Sequence, residues 1–128
     1  MEQTLPGPPA IFVSGLPEDI DDKLKPLLSE AGIDDIPVIF CTASMMRGTL
    51  IQALEDVFTD DPLPPDMLPP VMVFSGITMD QVQSILSGYS RTGLQRPIFA
   101  TTTDHNLLFT VKELIMHLLE ERRQHSSS

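Results

Sequence analysis

IFVSGL at Ile11–Leu16 and MVFSGI at Met72–Ile77 share one pattern, an apolar run that ends in Ser-Gly before another apolar residue. The residues around them, 11–58 and 72–119, continue the likeness. Five identical residues recur 61 positions apart: Ser14 and Ser75, Gly15 and Gly76, Asp19 and Asp80, Gly32 and Gly93, and Thr49 and Thr110. A self-match at one fixed spacing indicates that a small unit was duplicated and that its two copies pack together.

Each copy is predicted to run strand, helix, strand, helix, first over residues 10–58 and again over 71–122, with a proline-rich linker at 59–70. This alternation favours right-handed crossovers, parallel strands and helices on the outside. We therefore expect an α/β fold in which tandem duplicated β-α-β-α units share one four-stranded, mainly parallel sheet with helices packed outside. Residues 1–128 would form a single domain, because a unit of about 50–60 residues buries too little surface alone. The pattern leaves open whether the copies form one parallel sheet or meet about a pseudo-twofold axis with an antiparallel central pair.

Short apolar runs are the predicted strands: Ala10–Ser14, Ile36–Thr42, Val71–Ser75 and Pro97–Thr101. The run at 36–42 is apolar along its length, as expected for a strand that is covered on both faces. Aligning Pro37 with Pro97 gives a spacing of 60. The last strand is therefore expected one residue earlier in register than its counterpart.

Apolar residues at helical spacing predict helices over residues 17–31, 50–58, 79–91 and 111–122. The residues expected to face the core in the second and last helices are Leu50, Ala53, Leu54, Val57 and Phe58, and Val111, Leu114, Ile115, Leu118 and Leu119. Thr49 and Thr110 each open a predicted capping box. Pro26 is expected to kink or shorten the first helix, because proline removes a helix hydrogen bond. Residues 1–9 and 124–128 are expected to be a loosely held arm and a frayed tail.

The chain of 128 residues carries a net charge of −10, and its sequence pI is near 4.4. This disfavours nucleic acid and anionic membrane surfaces as partners, since both are bound through clusters of Lys and Arg. Residues 1–61 hold 12 acidic and 3 basic side chains, whereas residues 62–128 hold 6 and 5. The acidic first half is either a solvated face that keeps the protein soluble or a docking surface for a basic partner.

A single cysteine, Cys41, allows no intramolecular disulfide. The first residues, MEQTLPGPPA, have neither the basic stretch nor the apolar core of a signal peptide. No apolar run approaches the roughly 20 residues that a membrane span needs. We therefore expect a soluble cytoplasmic protein.

The turns Ser14-Gly15 and Ser75-Gly76 come directly after predicted strands and before helices. Backbone N–H groups at such a turn can hold an anion, and open α/β sheets bind ligands at this edge. A tight turn without any ligand would use the same residues, and neither turn has a complete phosphate-binding motif. Glu18 and Asp19 would repel an anion at the first turn, which leaves the second turn as the candidate.

The segment 101–106 follows the last strand and is the most polar cluster of the chain. Its candidate ligand-binding residues are Thr102, Asp104, His105 and Asn106. Carboxylate, imidazole and hydroxyl groups together could support acid–base chemistry or a metal. Alternatively, the side chains bond to local backbone as in an ordinary loop. In the corresponding loop of the first copy, Thr42 is the only polar residue that is identical to one of this cluster. The repeat therefore does not require the cluster.

No catalytic residue, metal site or cofactor is expected. The three histidines lack the spacing of a zinc site, although His117 and Glu121 are four residues apart on the last predicted helix. The paired aspartates lack the spacing of a calcium loop. Cys41 ends a buried strand and is expected to be an inert thiol.

VMVFSGIT and RPIFATTTDHNLLFTVKELIMHLLEER resemble the bacterial domain-of-unknown-function 3783 family over about residues 71–122. The residues that carry the likeness are Ser75-Gly76-Ile77, Thr102, Asn106, Phe109-Thr110 and Leu114–Glu121. The first copy departs from the pattern, because Gly48 replaces the aromatic residue and no Asn stands at the place of Asn106. The resemblance implies a small α/β module with no established activity.

Two functions follow as expectations. One is a non-enzymatic protein-interaction or regulatory module that binds an unknown protein partner or self-associates, which the acidity, the small size and the lack of a catalytic motif favour. The other is a small-ligand or anion-binding protein that uses the carboxyl edge of the sheet. An apolar surface patch shared across a twofold axis would favour the first, and a ligand at the strand ends would favour the second.

Overall fold

The computed structural model describes residues 3–126, with side chains through residue 124. Its strands are β1 (Ala10–Ser14), β2 (Val38–Phe40), β3 (Val71–Ser75) and β4 (Ile98–Thr101). Its α-helices are α1 (Ile20–Glu30), α2 (Ala43–Met46), α3 (Leu50–Glu55), α4 (Met79–Gly88) and α5 (Val111–Ser126), and 3₁₀ turns lie at Pro65–Met67, Tyr89–Thr92 and Asn106–Leu108. The ends of the predicted arm and tail, residues 1–2 and 127–128, lie outside the described residues.

The four strands form one sheet in the order β2-β1-β3-β4. The outer pairs β1–β2 and β3–β4 are parallel, whereas the central pair β1–β3 is antiparallel. An α/β fold with one four-stranded sheet is therefore confirmed, but the sheet is mixed rather than mainly parallel. The reversal occurs because the linker delivers the chain to Val71 beside Ser14, so that β3 starts where β1 ends.

The central pairing is symmetric about Phe12 and Val73, which are partners in the ladder and lie 61 positions apart. Thr49 and Thr110, at the same spacing, form an isolated antiparallel bridge. Glu30 and Arg91 also lie 61 positions apart, and the Arg91 guanidinium donates to the Glu30 carboxylate with N–O distances of 2.9 and 2.6 Å. The two halves thus meet about an approximate twofold axis, one of the two arrangements that the sequence left open.

The spacing of 61 also holds at the sheet edges. Ile11 pairs with Val38. Met72 and Phe99, which lie 61 positions after Ile11 and Val38, pair with each other in the same way. The expected shift of one residue is therefore wrong. Pro37 and Pro97 each stand directly before their strand, so β4 begins 60 positions after β2 although the pairing of the strands keeps the spacing of 61.

Helices cover both faces of the sheet. One face carries Ile11, Val13, Met72 and Phe74 and packs against the apolar sides of α1 and α4. The opposite face carries Ala10, Phe12, Val71 and Val73 and packs against α3 and α5. All eight strand residues are at most 1% exposed, so the central strands are covered on both sides. The edge strand β2 is only half-buried, contrary to the expectation for the run at 36–42.

The capping boxes at Thr49 and Thr110 are confirmed, and Thr78 opens a third. Helix α1 continues past Pro26 to Glu30. Helix α3 ends at Glu55 instead of residue 58, because the backbone of Asp56 is already extended. Val57 is therefore 91% exposed and does not face the core, and Leu119 at 40% exposure lies at the edge of the α5 stripe.

No helix among residues 3–126 has both the length and the apolar character that crossing a membrane requires.

Candidate functional site

The predicted site at the Ser75-Gly76 turn is filled by the chain's own N-terminal arm, residues 3–9. The buried hydroxyl groups of Ser75 and Thr102 both donate to the carbonyl oxygen of Pro6, at 3.3 and 2.6 Å. Gly76 lies against the backbone of Pro8 and Pro9. The two hydroxyls thus converge on one oxygen acceptor, and the arm supplies that oxygen.

The corresponding turn of the first half is closed in a related way. The Ser14 hydroxyl donates to the carbonyl oxygen of Pro69 at 3.1 Å, and Gly15 packs against the carbonyls of Leu68 and Pro69. Both contacts follow from the antiparallel centre of the sheet, since the residues that lead into each central strand lie beside the end of the other. The Pro-Pro sequences before β1 and β3 therefore each cover a Ser-Gly turn.

Asn106 organises the polar loop after β4. Its side-chain oxygen accepts from the Thr103 N–H at 2.7 Å, its own N–H donates to the Thr103 hydroxyl at 2.9 Å, and its amide nitrogen donates to the Thr101 carbonyl at 3.0 Å. These are the local backbone contacts of an ordinary loop. Thr103, not Thr102, is thus the counterpart of Thr42, whose hydroxyl accepts from the Met45 N–H at 3.2 Å.

The six candidate residues fall into two groups. Ser75, Gly76 and Thr102 lie beneath the arm, whereas Asp104, His105 and Asn106 lie on the surface loop, where the first two are exposed. Of the six, His105 and Asn106 line a cleft.

That cleft, which we call the second groove, has a volume of about 340 Å³. It lies between the outer edge of β4, the loop after β4 and helix α5. Its walls are formed by Phe99, Ala100, Thr101, Thr103, His105, Asn106, Phe109, Leu114, His117, Leu118 and Glu121. The floor is apolar and the rim is polar, which is the usual composition of a binding cleft.

Two histidines flank an aromatic ring on the rim of the second groove. The His105 ring contacts Phe109 edge-on, with centroids 4.9 Å apart, and Phe109 contacts His117 in the same manner at 5.9 Å. His117 Nε2 lies 3.1 Å from a carboxylate oxygen of Glu121. Within residues 3–126, no group of three or more His, Cys, Asp or Glu side chains is placed to hold a metal. The arrangement offers apolar contact and hydrogen bonding.

The first half has an equivalent cleft, the first groove, of about 300 Å³ beside β2 and α3. One wall of this cleft is formed by an extended segment of this chain, residues 57–63, which we call the strap. Phe58 packs against the core, the Leu63 N–H donates to the Cys41 carbonyl at 2.9 Å, and Pro62 forms a bridge with Thr42.

A carboxylate also holds the strap. Asp60 accepts a hydrogen bond from the Ser44 N–H at 3.0 Å, and this bond lowers the pKa of Asp60. The strap thus combines an aromatic side chain, a carboxylate and a strand-like backbone contact.

The two grooves differ because their helices differ in length. Helix α3 stops at Glu55 and the chain turns back as the strap, whereas α5 continues to Ser126. The residues that correspond to the strap, 118–124, are therefore helical. The strap therefore walls the first groove, whereas helix α5 walls the second through His117, Leu118 and Glu121.

Cys41 is 3% exposed beside the strap. Burial, together with the nearby Asp60 carboxylate, raises the pKa of its thiol to about 12. The thiolate form is therefore scarce at neutral pH, as expected for an inert cysteine.

We expect the double substitution Ser75→Ala with Thr102→Val to release the arm, because it removes both donors to Pro6. Each lost bond costs about 1 kcal/mol. The readout is amide hydrogen exchange of Leu5, whose N–H donates to Ile77 at 2.7 Å and should exchange about tenfold faster or more. Ser87→Ala removes a hydroxyl bond to the Gln83 carbonyl within α4 and should leave Leu5 unchanged. Unchanged exchange of Leu5 in the double variant would contradict this account.

Sequence reasoning missed the second groove as a unit. Phe109 was noted only as part of the family resemblance, and His117 with Glu121 only as an isolated pair on a helix. The signal that could have joined them is the difference between the halves, since Gly48 and Asp56 stand 61 positions before Phe109 and His117. Residues that break a repeat's own symmetry are candidates for what one copy does alone.

Comparison with known proteins agrees with the resemblance. The chain matches no curated protein and no solved structure. The model of the family described as Domain of unknown function (DUF3783) matches residues 70–124, which hold β3, α4, β4 and α5. The similarity to the DUF3783 family thus covers the second half of the chain.

Proposed function

We propose that this protein is a non-enzymatic protein-interaction or regulatory module whose docking site is the second groove. The observation that carries the proposal is the second groove itself, an open cleft of about 340 Å³ with the aromatic side chain of Phe109 and a polar rim beside the outermost strand β4. Edge strands beside such clefts commonly accept an extended segment of a partner.

The surface next to the second groove supports the same function. Leu108 is 71% exposed and Met116 is 59% exposed, and Met116 shares a surface hollow with Phe109 and His117. Exposed apolar side chains beside an aromatic cleft with a polar rim are typical of a protein contact site.

Three further statements belong to this proposal. The halves arose by tandem duplication, which the spacing of 61 and the symmetric central pairing support. The protein acts in the cytoplasm, which a single cysteine without a disulfide partner supports. Its source is bacterial, which rests on the resemblance to a bacterial family.

Selection from a library of random peptides displayed on phage tests the function. We expect peptides that bind the intact protein, and we expect Met116→Glu to weaken them by about tenfold, the loss typical of an important interface residue. Gln83→Glu makes the same charge change on α4, across the sheet from the groove, and should bind normally. Failure to enrich any peptide, or equal loss in both variants, would overturn the proposal. Enrichment of the chain's own sequence would indicate self-association.

The alternative function is binding of a small ligand or anion, and one observation favours it. Two buried hydroxyls, from Ser75 and Thr102, converge on a single oxygen. A ligand oxygen could take that place if the arm moved away. NMR titration with phosphate and nucleotides tests this: shifts at both residues and at Pro6 would support it, and none at millimolar ligand would exclude it.

A further inference from the structure

We propose that the partner places a lysine or arginine side chain in an acidic hollow next to the second groove, with apolar residues of the same segment beside it. This inference rests on the proposed docking function and names the partner's chemistry, a basic and partly apolar segment of another protein. The acidic hollow has a volume of about 430 Å³ and is lined by Phe109, Glu113, Met116, His117 and Glu120. Phe109 and His117 also line the second groove, so one bound segment can reach both.

The composition of the acidic hollow distinguishes the second half from the first. The residues that stand 61 positions before its five lining residues are Gly48, Gln52, Glu55, Asp56 and Thr59, and none of the five is repeated. An aromatic ring thus stands where the first half has glycine, and a methionine where it has glutamate. The arrangement of the two halves does not require this composition, so the hollow is a candidate for what the second half does alone.

Glu113 brings a charged carboxylate to the hollow although its local role does not require the charge. One of its oxygens accepts from the Thr110 N–H at 3.1 Å, and hydrogen bonds with the side chain and backbone of Thr110 lower the pKa of Glu113. Gln52 and Gln81 close the capping boxes of α3 and α4 with an uncharged amide oxygen, at 2.9 Å each. A carboxylate has a second oxygen, which can accept from a partner.

Glu120 supplies the second carboxylate of the hollow. The Arg123 guanidinium lies 3.6 Å from it, and the side chains of Arg123 and Glu120 are 80% and 52% exposed. A contact of this length between exposed groups is weak, so an incoming cation can replace it. Two carboxylates beside an aromatic ring suit an ammonium or guanidinium group, through ion pairing and through attraction between the cation and the ring.

The surroundings of the hollow define the rest of the partner. Leu108, Met116 and Leu119 are large apolar side chains that α5 and the turn before it leave exposed. A basic residue with apolar neighbours therefore matches this surface better than a segment of charged residues alone. A second copy of this chain is disfavoured as the partner, because two copies of net charge −10 repel each other whereas a basic protein is attracted.

The peptides selected on the intact protein from the random phage library test the inference by their composition. We expect them to carry Lys or Arg beside apolar residues and to bind more weakly as salt is added. The double substitution Glu113→Gln with Glu120→Gln should weaken them about tenfold, since an exposed ion pair contributes up to about fivefold. The first of these changes preserves the capping box, as Gln52 does in α3, so thermal unfolding should change little.

Glu18→Gln with Asp21→Asn is the matched control. It removes two exposed charges at the start of α1, which packs on the opposite face of the sheet from α5, and it should bind normally. Met116→Glu remains the test of the docking function, because the loss of its apolar contact outweighs the one exposed charge that it adds.

The outcomes separate the inference from the function on which it rests. Selected peptides without Lys or Arg, or equal binding by the two double variants, would overturn the inference, and the docking function would stand if Met116→Glu weakened those peptides. If no peptide is enriched, both fail. Spermidine that binds as tightly as the selected peptides would make the hollow a site for small amines. Enrichment of the chain's own sequence would make a second copy the partner, and either result would overturn the assignment to another protein.

Discussion

Phe12→Ala is expected to lower the free energy of unfolding by about 3–5 kcal/mol, the cost of removing a large aromatic side chain from a well-packed core. Phe12 is fully buried and pairs with Val73 at the centre of the sheet. Its ring packs under α3 and α5, one from each half. The cavity would therefore lie where the halves meet and weaken both together.

Chemical denaturation followed by circular dichroism measures this loss. We expect one cooperative transition that moves to lower denaturant with an unchanged slope, because both halves share the sheet. Val57→Ala is the control, since Val57 is 91% exposed and its substitution should change stability little. Two separate transitions, or a loss below about 1 kcal/mol for Phe12→Ala, would contradict the shared core.

Gly76→Ala is expected to cost about 3 kcal/mol in two parts. Gly76 has a φ of 71°, a conformation that strains any residue with a Cβ. A Cβ would also lie 2.6 Å from the Pro8 carbonyl carbon and the Pro9 Cα, which are rigid backbone atoms. The arm or the turn must therefore move.

Gly93→Ala separates the two parts. Gly93 has nearly the same φ, 72°, but a Cβ there would meet no atom within 4 Å. It should cost about 1 kcal/mol, from backbone strain alone. Thermal or chemical unfolding of both variants gives the difference, which measures the contact between the arm and the turn. Equal losses would show that the arm does not press on Gly76.

The sequence indicated some residues of the candidate site but not the shape of the cleft. The loop after β4 was singled out for its polarity, and His105 and Asn106 line the second groove. The Asn106 side chain makes its hydrogen bonds within the loop, and Thr102 lies under the arm. Which side chains face a cleft depends on neighbours that are distant in the chain, and periodicity within one segment carries no information on those neighbours.

The sequence by itself determined the α/β class and the bounds of β1 and β3, because these depend on local apolar runs. The direction of the central pair, the register at the edges and the end of α3 were decided only by the tertiary structure. The direction of the central pair is set where the two halves touch, Phe12 on Val73 and Thr49 on Thr110, whereas the chain after α3 returns as the strap to the residues that follow β2. Contacts between segments that are distant in the chain lie beyond any local pattern, and they decide how each groove is walled.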